Sequence, residues 1–502
     1  MSQTLILDTD VSQVVNTTAS QERKASEQRQ KQPKASMAAG GSSILAAILS
    51  TLLLRIASRT SFVLLGFYLG EHFTSATIVA VVLEAFYITE ILVAPIVGSL
   101  SDRVGRKPFL LSAPLVGSGA ALCLVAAVLL FPHPHATPFD ARVVILLLAV
   151  LLGRLLEGAA AALNAPAGLG YLTEVTSSSG KLRVRVMTAF EVATVGGLAL
   201  AIPFGGKVSS LLGTWGFFVV IALHVTNAVL IACFLKESAQ RKAQGEAHHS
   251  LMESLSVIRH KRIFTFLPAW LSINALVGAW MTLCTIMLTY PEPAASMRHP
   301  GQLLYGGFSK EFATLLIGGF GLLFLAGMGL WMLVLPHLRR TTVMFIGLGG
   351  LGVSSVALTL INGLAKSPAH VLASSQPTLL ALLPLVVLGV LLLSGFTPAS
   401  LNHMAAISEL LPGKRGAVMG LYSVVMGVGQ LIGASLGGLC VDLGGFYGLM
   451  GFSAVMGLVA LGSVLYIRMK GHDLIKSPSR DRSFATRKLP SLACSVKTAH
   501  LA

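Results

Sequence analysis

Apolar stretches of about twenty residues or more alternate with short polar breaks along most of this chain. A helix that crosses a bilayer needs about 20 mostly apolar residues. The pattern predicts twelve such spans, at 43–70, 76–99, 109–131, 142–168, 186–206, 215–235, 263–289, 313–335, 343–363, 378–405, 417–440 and 446–468. The breaks between them carry Pro, Gly, His and charge, as turns do. Two ends fall outside the pattern. Residues 1–41, rich in Ser, Gln, Lys and Glu, are expected to form a disordered tail, and 469–502 a basic one.

Composition points the same way. Of 502 residues 54% are hydrophobic and 12% charged, and the mean hydropathy is +0.76. A soluble domain carries about 25% charged residues. The expected class is an all-α membrane protein, because inside lipid a helix satisfies its own backbone. No signal-peptide pattern opens the chain. Cys123, Cys233, Cys284 and Cys440 sit in apolar stretches without metal-like spacing and read as small packing residues.

The net charge of +16 would suggest nucleic acid in a soluble protein. Sorting the basic residues by span removes that reading. With both termini on one side, 29 of the 37 Lys and Arg share that side, counting Arg468 with the final tail. Five lie opposite (Arg142, Lys207, Arg298, Lys310, Lys366), and Arg55, Arg59 and Arg154 fall within spans. Positive loops mark the cytoplasm, so both termini are expected there, with the excess charge facing an anionic leaflet.

The chain also carries an internal copy. Shifted by 232, residues 183–218 fall on 415–450 without a gap, and ten of the 36 pairs are identical. They include Arg183/Arg415, Gly197/Gly429, Gly205/Gly437, Gly206/Gly438, Gly213/Gly445 and Gly216/Gly448. The fifth and sixth spans thus overlie the eleventh and twelfth. Two six-helix halves follow, 42–235 and 263–468, joined by a cytoplasmic segment 236–262 and enclosing a central cavity.

One break is denser than the rest: GSLSDRVGRKP, from Gly98 to Pro108. Gly98 is expected to let helices approach closely and Gly105 to permit a tight turn. Asp102 suits a neighbouring helix N-terminus. Arg103, Arg106 and Lys107 can pair with acids or carbonyls across the two halves. Set between the second and third of twelve spans, Gly98, Leu100, Ser101, Asp102, Arg103, Gly105, Arg106 and Lys107 match the loop signature G-x-L-[SA]-D-R-x-G-R-[KR]. The chain therefore resembles the major facilitator superfamily over about residues 43–468. Pro412-Gly-Lys-Arg415-Gly416 resembles a second signature, P-x-x-x-R-G. The corresponding second-half loop, His337-Leu-Arg-Arg340, keeps the base charge without the Gly and Asp. The resemblance implies that the Gly98–Lys107 motif is a gate on the cytoplasmic side.

Ionisable residues inside a bilayer cost about 2.5–3.5 kcal/mol each, so they are functional candidates. Arg154 and Glu157 share one face of the fourth span, and Asn164 continues that stripe. Arg154 with Gly158 is similar to the family's R-x-x-x-G pattern, whose arginine the resemblance ties to proton coupling. The second span carries Glu84, Tyr87 and Glu90 at threefold spacing, and the first carries Arg55 and Arg59 one turn apart. Facing each other, these ridges would form buried pairs or a protonatable site, since a low dielectric favours a neutral carboxyl. Asn274, Asn402, His403, His224 and Glu191 read first as interhelical hydrogen-bonding residues, and Trp270, Trp280 and Tyr422 as possible cavity lining.

The fifth span ends GGLALAIPFGG. Gly197, Pro203, Gly205 and Gly206 resemble the family's antiporter motif G-x-x-x-G-P-x-x-G-G, with Ile202 before the proline and a spacing one short. With Gly429, Gly433 and Gly437 in the eleventh span they form a helix-packing set. Gly433-Ala-Ser435-Leu-Gly437 matches a hydrolase elbow in letters alone, since it lies in an apolar helix. No Walker loop, HExxH or paired Cys/His site occurs, so neither an enzyme nor a cofactor or metal is expected.

The resemblance implies a secondary transporter working by alternating access on a small-molecule solute. It would be monomeric in the plasma or inner membrane. Proton-coupled efflux of a small organic compound is the first reading. Proton-coupled uptake of a sugar, organic anion or other nutrient is the alternative. A membrane sensor that kept the fold and lost transport is the third.

Overall fold

The computed structural model describes residues 41–73, 75–130, 141–176, 180–237, 257–292, 294–364, 377–409 and 415–470. Nearly all of both tails and most of the 236–262 segment lie outside these residues. Among the described residues the regular structure is helical. The helices are α1 Gly41–His72, α2 Ala76–Glu84, α3 Phe86–Val104, α4 Lys107–Leu130, α5 Ala141–Val175, α6 Gly180–Leu212, α7 Gly216–Phe234, α8 Lys261–Leu288, α9 Ala294–Arg298, α10 Lys310–Val334, α11 Arg340–Leu364, α12 Pro377–Leu393, α13 Phe396–Glu409 and α14 Arg415–Met469.

Ten helical stretches among the described residues are long and apolar enough to cross a membrane. Two exceed a single crossing: Val192–Phe234 has 43 residues and Val424–Met469 has 46. The first is interrupted by the turn Gly213–Trp215, which separates α6 from α7. The second is interrupted at Gly445, inside α14. Each is therefore long enough for two crossings, which makes twelve among the described residues. Gly213 and Gly445 are the pair that the 232-residue shift superposes. Both have positive φ, 54° and 62°, where a side chain is disfavoured.

Two other spans are built from two helices each. The second breaks at Ala85 between α2 and α3, and the tenth breaks between α12 and α13. Breaks at membrane depth are tolerated where neighbouring protein takes up the freed backbone groups.

In the first six spans α1 lies along α6 and α7, and α5 lies along α3 and α4; in the last six, α8 runs along α14 and α11 along α12. The glycine stripe of the fifth span sets the α1–α6 approach. A Cβ on Gly197 would crowd Arg55 and the Leu52 carbonyl, and one on Gly205 would crowd Val63. The stripe of the eleventh span does the same against α8. Gly429 meets Asn274, Gly433 meets Ala275, and Gly437 meets Ala279 and Leu283. The next glycine of each stripe faces the other six spans. Gly206 seats Thr314 of α10, and Gly438 seats the Thr77 backbone of α2. Pro203 presses on Gly318 of α10. So α6 with α10 and α14 with α2 are the two main seams between the first six and last six spans.

Large apolar side chains also point outward, among them Leu92, Leu130, Leu315, Leu330, Leu333 and Leu443. In water such a surface would be a liability. Against lipid it is the expected one.

Candidate functional site

The polar residues form three groups: one at mid-depth and one at each end of the bundle. At mid-depth, Glu84 closes α2 and accepts a hydrogen bond from Thr282 Oγ1 of α8. Both residues are buried. Tyr87, just past the break, takes a hydrogen bond from Arg59 Nη2 at 2.9 Å and donates its own to Gln430 Oε1 of α14. A chain of bonds thus runs from the first span through the second to the eleventh. Glu90 lies within electrostatic reach of Arg55 and Arg59. Glu84, Tyr87 and Glu90 do not make one continuous ridge, because the break at Ala85 sends Glu84 and Tyr87 to different partners.

Arg154 explains where that break sits. Its Nε donates to the Leu83 carbonyl at 2.8 Å, two residues before Ala85. Its Nη1 pairs with Glu157 Oε2. The guanidinium lies between Phe62 and Phe86, 5.5 and 5.3 Å from their ring centres, a favourable arrangement for a desolvated cation. Gly158 is the glycine of the R-x-x-x-G pattern, and its role is steric. A Cβ there would run into the Phe86 backbone, so the glycine lets the fourth span reach the break. Asn164 is apart from this group. Two turns on, its Oδ1 accepts from Thr51 Oγ1 of α1 at 3.4 Å.

At one end of the bundle stands Arg106, buried at 6% exposure. Its Nε and Nη2 bind Glu174 Oε1 at 3.1 and 2.9 Å, and its Nη1 binds Ser101 Oγ at 2.6 Å. Its backbone N–H donates to Glu237 Oε1 at 2.8 Å, and the Lys107 N–H donates to the same carboxylate. Glu237 therefore caps the start of α4, where an anion is favoured. These bonds of Arg106 hold it to the fourth span and to the end of the sixth. One ion pair of Arg106 thus forms with Glu174, inside the first six spans.

Gly105 has φ 119° and ψ 160°, and a Cβ there would press on the Glu237 carboxylate, so this turn requires glycine. Gly98 is different. A Cβ would meet Pro166 at 3.7 Å, an ordinary contact, so among the described residues no close helix approach depends on it. Leu100 is exposed. The side chains of Asp102, Arg103 and Arg415 lie outside the described residues, as do those of Glu191 and Tyr422 and the surroundings of Gly416.

The opposite end carries a set of bonds between the two seams. Asp442 of α14 accepts from Ser75 Oγ at 2.8 Å, the Ala76 N–H at 2.7 Å, the Thr77 N–H at 3.1 Å and Thr77 Oγ1 at 2.6 Å. It caps α2 from across the interface. Arg298 stands 4.0 Å from it. On the other seam Glu311, in the first turn of α10, accepts from Lys207 Nζ at 2.9 Å and Ser210 Oγ at 2.6 Å. Lys310 pairs with Glu71 of α1 at 2.6 Å. The 232-residue shift lays Ser210 on Asp442, so repeat-related positions latch both seams with the donor and acceptor roles exchanged. Thr282, Gln430, Asp442 and Glu311 were not recognised from sequence. Asp442 did carry a signal: it is the only acid between Glu409 and Asp473.

The family model described as Major Facilitator Superfamily matches residues 47–306 and 301–498. The tetracycline resistance protein, class C, of Escherichia coli is 28% identical over 218 residues, 43% of this chain and 47% of that protein. The match thus spans about half the length of that curated relative. Among solved structures the fold resembles the nucleoside transporter NupG, with a TM-score of 0.59, 13% identity, and coverage of 86% of this chain and 99% of that one. It also resembles a D-xylose-proton symporter, with a TM-score of 0.57, 16% identity, and 84% and 96% covered. A bacterial homologue of the iron transporter ferroportin gives a TM-score of 0.60 at 14% identity, with 84% and 98% covered.

Proposed function

Because this chain belongs to the Major Facilitator Superfamily, and is thus a multi-pass membrane transporter rather than an enzyme, we propose that it exports a small organic compound in exchange for protons by alternating access. The carrying observation is the meeting of the second and seventh spans. There the buried Glu84 carboxylate is bound to Thr282 of the other six spans, while Tyr87 links Arg59 to Gln430 beside it. A carboxylate at the junction of two moving bodies can trade a proton for a solute, because its bond across the junction differs between conformations. Arg154, Glu157, Glu90, Arg55 and Arg59 supply the remaining charge of this centre.

The moving bodies in this reading are residues 42–235 and 263–468, joined by 236–262. The Gly98–Lys107 motif, Asp102 and Arg103 included, works with Arg415 and Gly416 as the cytoplasmic gate. The Asp442 and Glu311 latches close the outer end. Both termini are cytoplasmic, the chain acts as a monomer, and the membrane is the plasma or inner membrane. Export is favoured over uptake by the stretch shared with a tetracycline resistance protein.

Purified protein in proteoliposomes tests this. Cationic dyes are expected to trigger proton movement, with sugars and organic acids inert. Solute uptake under an imposed inward proton gradient, with no dye response, would overturn export and establish a nutrient symporter. No movement of any solute would leave the sensor reading.

A further inference from the structure

His224 of α7 is buried at 1% exposure, and neither of its ring nitrogens has a hydrogen-bonding partner in the structure. An imidazole always presents one donor or acceptor at each nitrogen, and buried polar groups are normally satisfied by protein or ordered water. Glu157 of α5, 2% exposed, is satisfied on one side only. Its Oε2 holds Arg154, whereas its Oε1 has no partner at full hydrogen-bonding geometry, although the equally unpartnered Ser61 hydroxyl of α1 stands near the carboxyl.

These two unsatisfied groups line one small cavity. Its wall also includes Leu54, Arg55 and Ser58 of α1 and Gly117 of α4, and it has room for about one water molecule. The ring is held there by its neighbour. A Cβ on Gly117 would stand 2.7 Å from Nδ1 and 2.8 Å from Nε2 of His224, so the third span provides the glycine on which the imidazole rests. A water needs two to four polar partners to be retained. Glu157, His224, Arg55 and Ser58 are the polar residues that line the cavity.

We propose that the cavity is a proton-holding site in which one water bridges Glu157 Oε1 and His224. It rests on the proton-coupled reading above and adds a second station to it. The step balances without any further reactant. The carboxyl O–H bond of Glu157 breaks as its proton passes to the water oxygen. The water passes one of its protons to the unprotonated ring nitrogen. Carboxylate, water and imidazolium result, and the reverse step restores the start. The charged groups facing Glu157 are Arg154 from its own helix and Arg59 from α1. Arg55 of α1 lines the same cavity. The approach of Arg59 on α1 favours the Glu157 carboxylate, so movement of α1 would bias where the proton rests.

The experiment is infrared difference spectroscopy of the full-length protein in lipid vesicles, titrated with acid. The Glu157 carboxyl band is assigned by its loss in Glu157→Gln. In His224→Phe the band is expected to shift, and its midpoint to move by about one pH unit, a tenfold change in proton affinity. His224→Gln, which keeps a partner for the water, is expected to leave the band near its original frequency. It also covers the case in which His224→Phe fails to fold. Gly117→Ala is expected to resemble His224→Phe. A band unmoved in His224→Phe, or shifted equally in His224→Gln, overturns the proposal. Failure of proton coupling reads differently. In that case the band still depends on His224, while no solute drives proton movement in the wild type.

Discussion

Asp442 accepts hydrogen bonds from both the backbone N–H and the hydroxyl of Thr77, at 3.1 and 2.6 Å, although 365 positions separate them in sequence. With Ser75 and Ala76 added, one carboxylate caps the second span from the end of the eleventh. Bonds to a charged acceptor contribute about 1.5–3 kcal/mol each, and these must break for this end to open. Asp442→Asn keeps the shape and removes the charge. We expect the open population to rise about tenfold. Spin labels at the exposed positions Trp215 and Met297 report it as a longer distance component. An unchanged distance distribution would mean that the latch does not set the equilibrium.

The two glycines of one loop motif should behave differently. Gly105 has φ 119° and faces the Glu237 carboxylate, whereas Gly98 has only an ordinary contact, with Pro166, among the described residues. Gly105→Ala is therefore expected to cost about 1–3 kcal/mol, seen as a lowered thermal unfolding midpoint. Gly98→Ala is expected to be neutral or slightly stabilising, since alanine favours helix over glycine. Equal losses from both would show that the turn at Gly105 is not the constraint.

Much of this architecture was legible in advance, and the reason is local. Apolar runs of span length reveal the crossings because lipid requires them. Gly213 and Gly445 align in the repeat because both must turn with positive φ. The break at Ala85 was not legible. Its sequence, Leu83-Glu84-Ala85-Phe86, favours helix, and the group that takes the Leu83 carbonyl is Arg154, 71 residues on. Thr282 and Gln430 were invisible for the same reason. A threonine or glutamine in a span has no pattern of its own until a distant partner is placed against it. The motif around Arg106 was found from its letters. Its partners Glu174 and Glu237 lie 68 and 131 residues on, and only the folded chain brings them to it.

Acid should loosen the segment between the seventh and eighth spans. His299 stands edge-on to Tyr305, with ring centres 4.6 Å apart. Burial, and then the neighbouring Arg298, hold its imidazole below the ordinary 6.5, with Asp442 pulling the other way. The unfolded chain thus binds this proton more readily, so the stability contribution is full above about pH 6.5 and is lost as pH falls through that value toward the folded pKa. Between about pH 7.5 and about pH 5.5 the wild-type unfolding midpoint is expected to drop more than that of His299→Phe. Parallel curves for the two proteins would show that His299 is not the group responsible.

Solute binding and proton coupling should separate at mid-depth. Glu84 can exchange a proton, whereas Gln in its place keeps the size and a hydrogen-bonding oxygen for Thr282 but cannot titrate. If Glu84 is the residue at which solute and proton compete, Glu84→Gln should bind solute within about threefold of wild type. Its solute-driven proton movement should fall at least about tenfold, a barrier change of about 1.4 kcal/mol. Tyr87→Phe makes the complementary cut. It breaks the bond from Arg59 to Gln430 and leaves every carboxylate in place, so it should slow exchange while protons still move with solute in the wild-type ratio. Proton-to-solute ratios measured in one set of proteoliposomes distinguish the two variants. A normal ratio in Glu84→Gln would remove Glu84 from the coupling reaction and shift that role to Glu157 or Glu90.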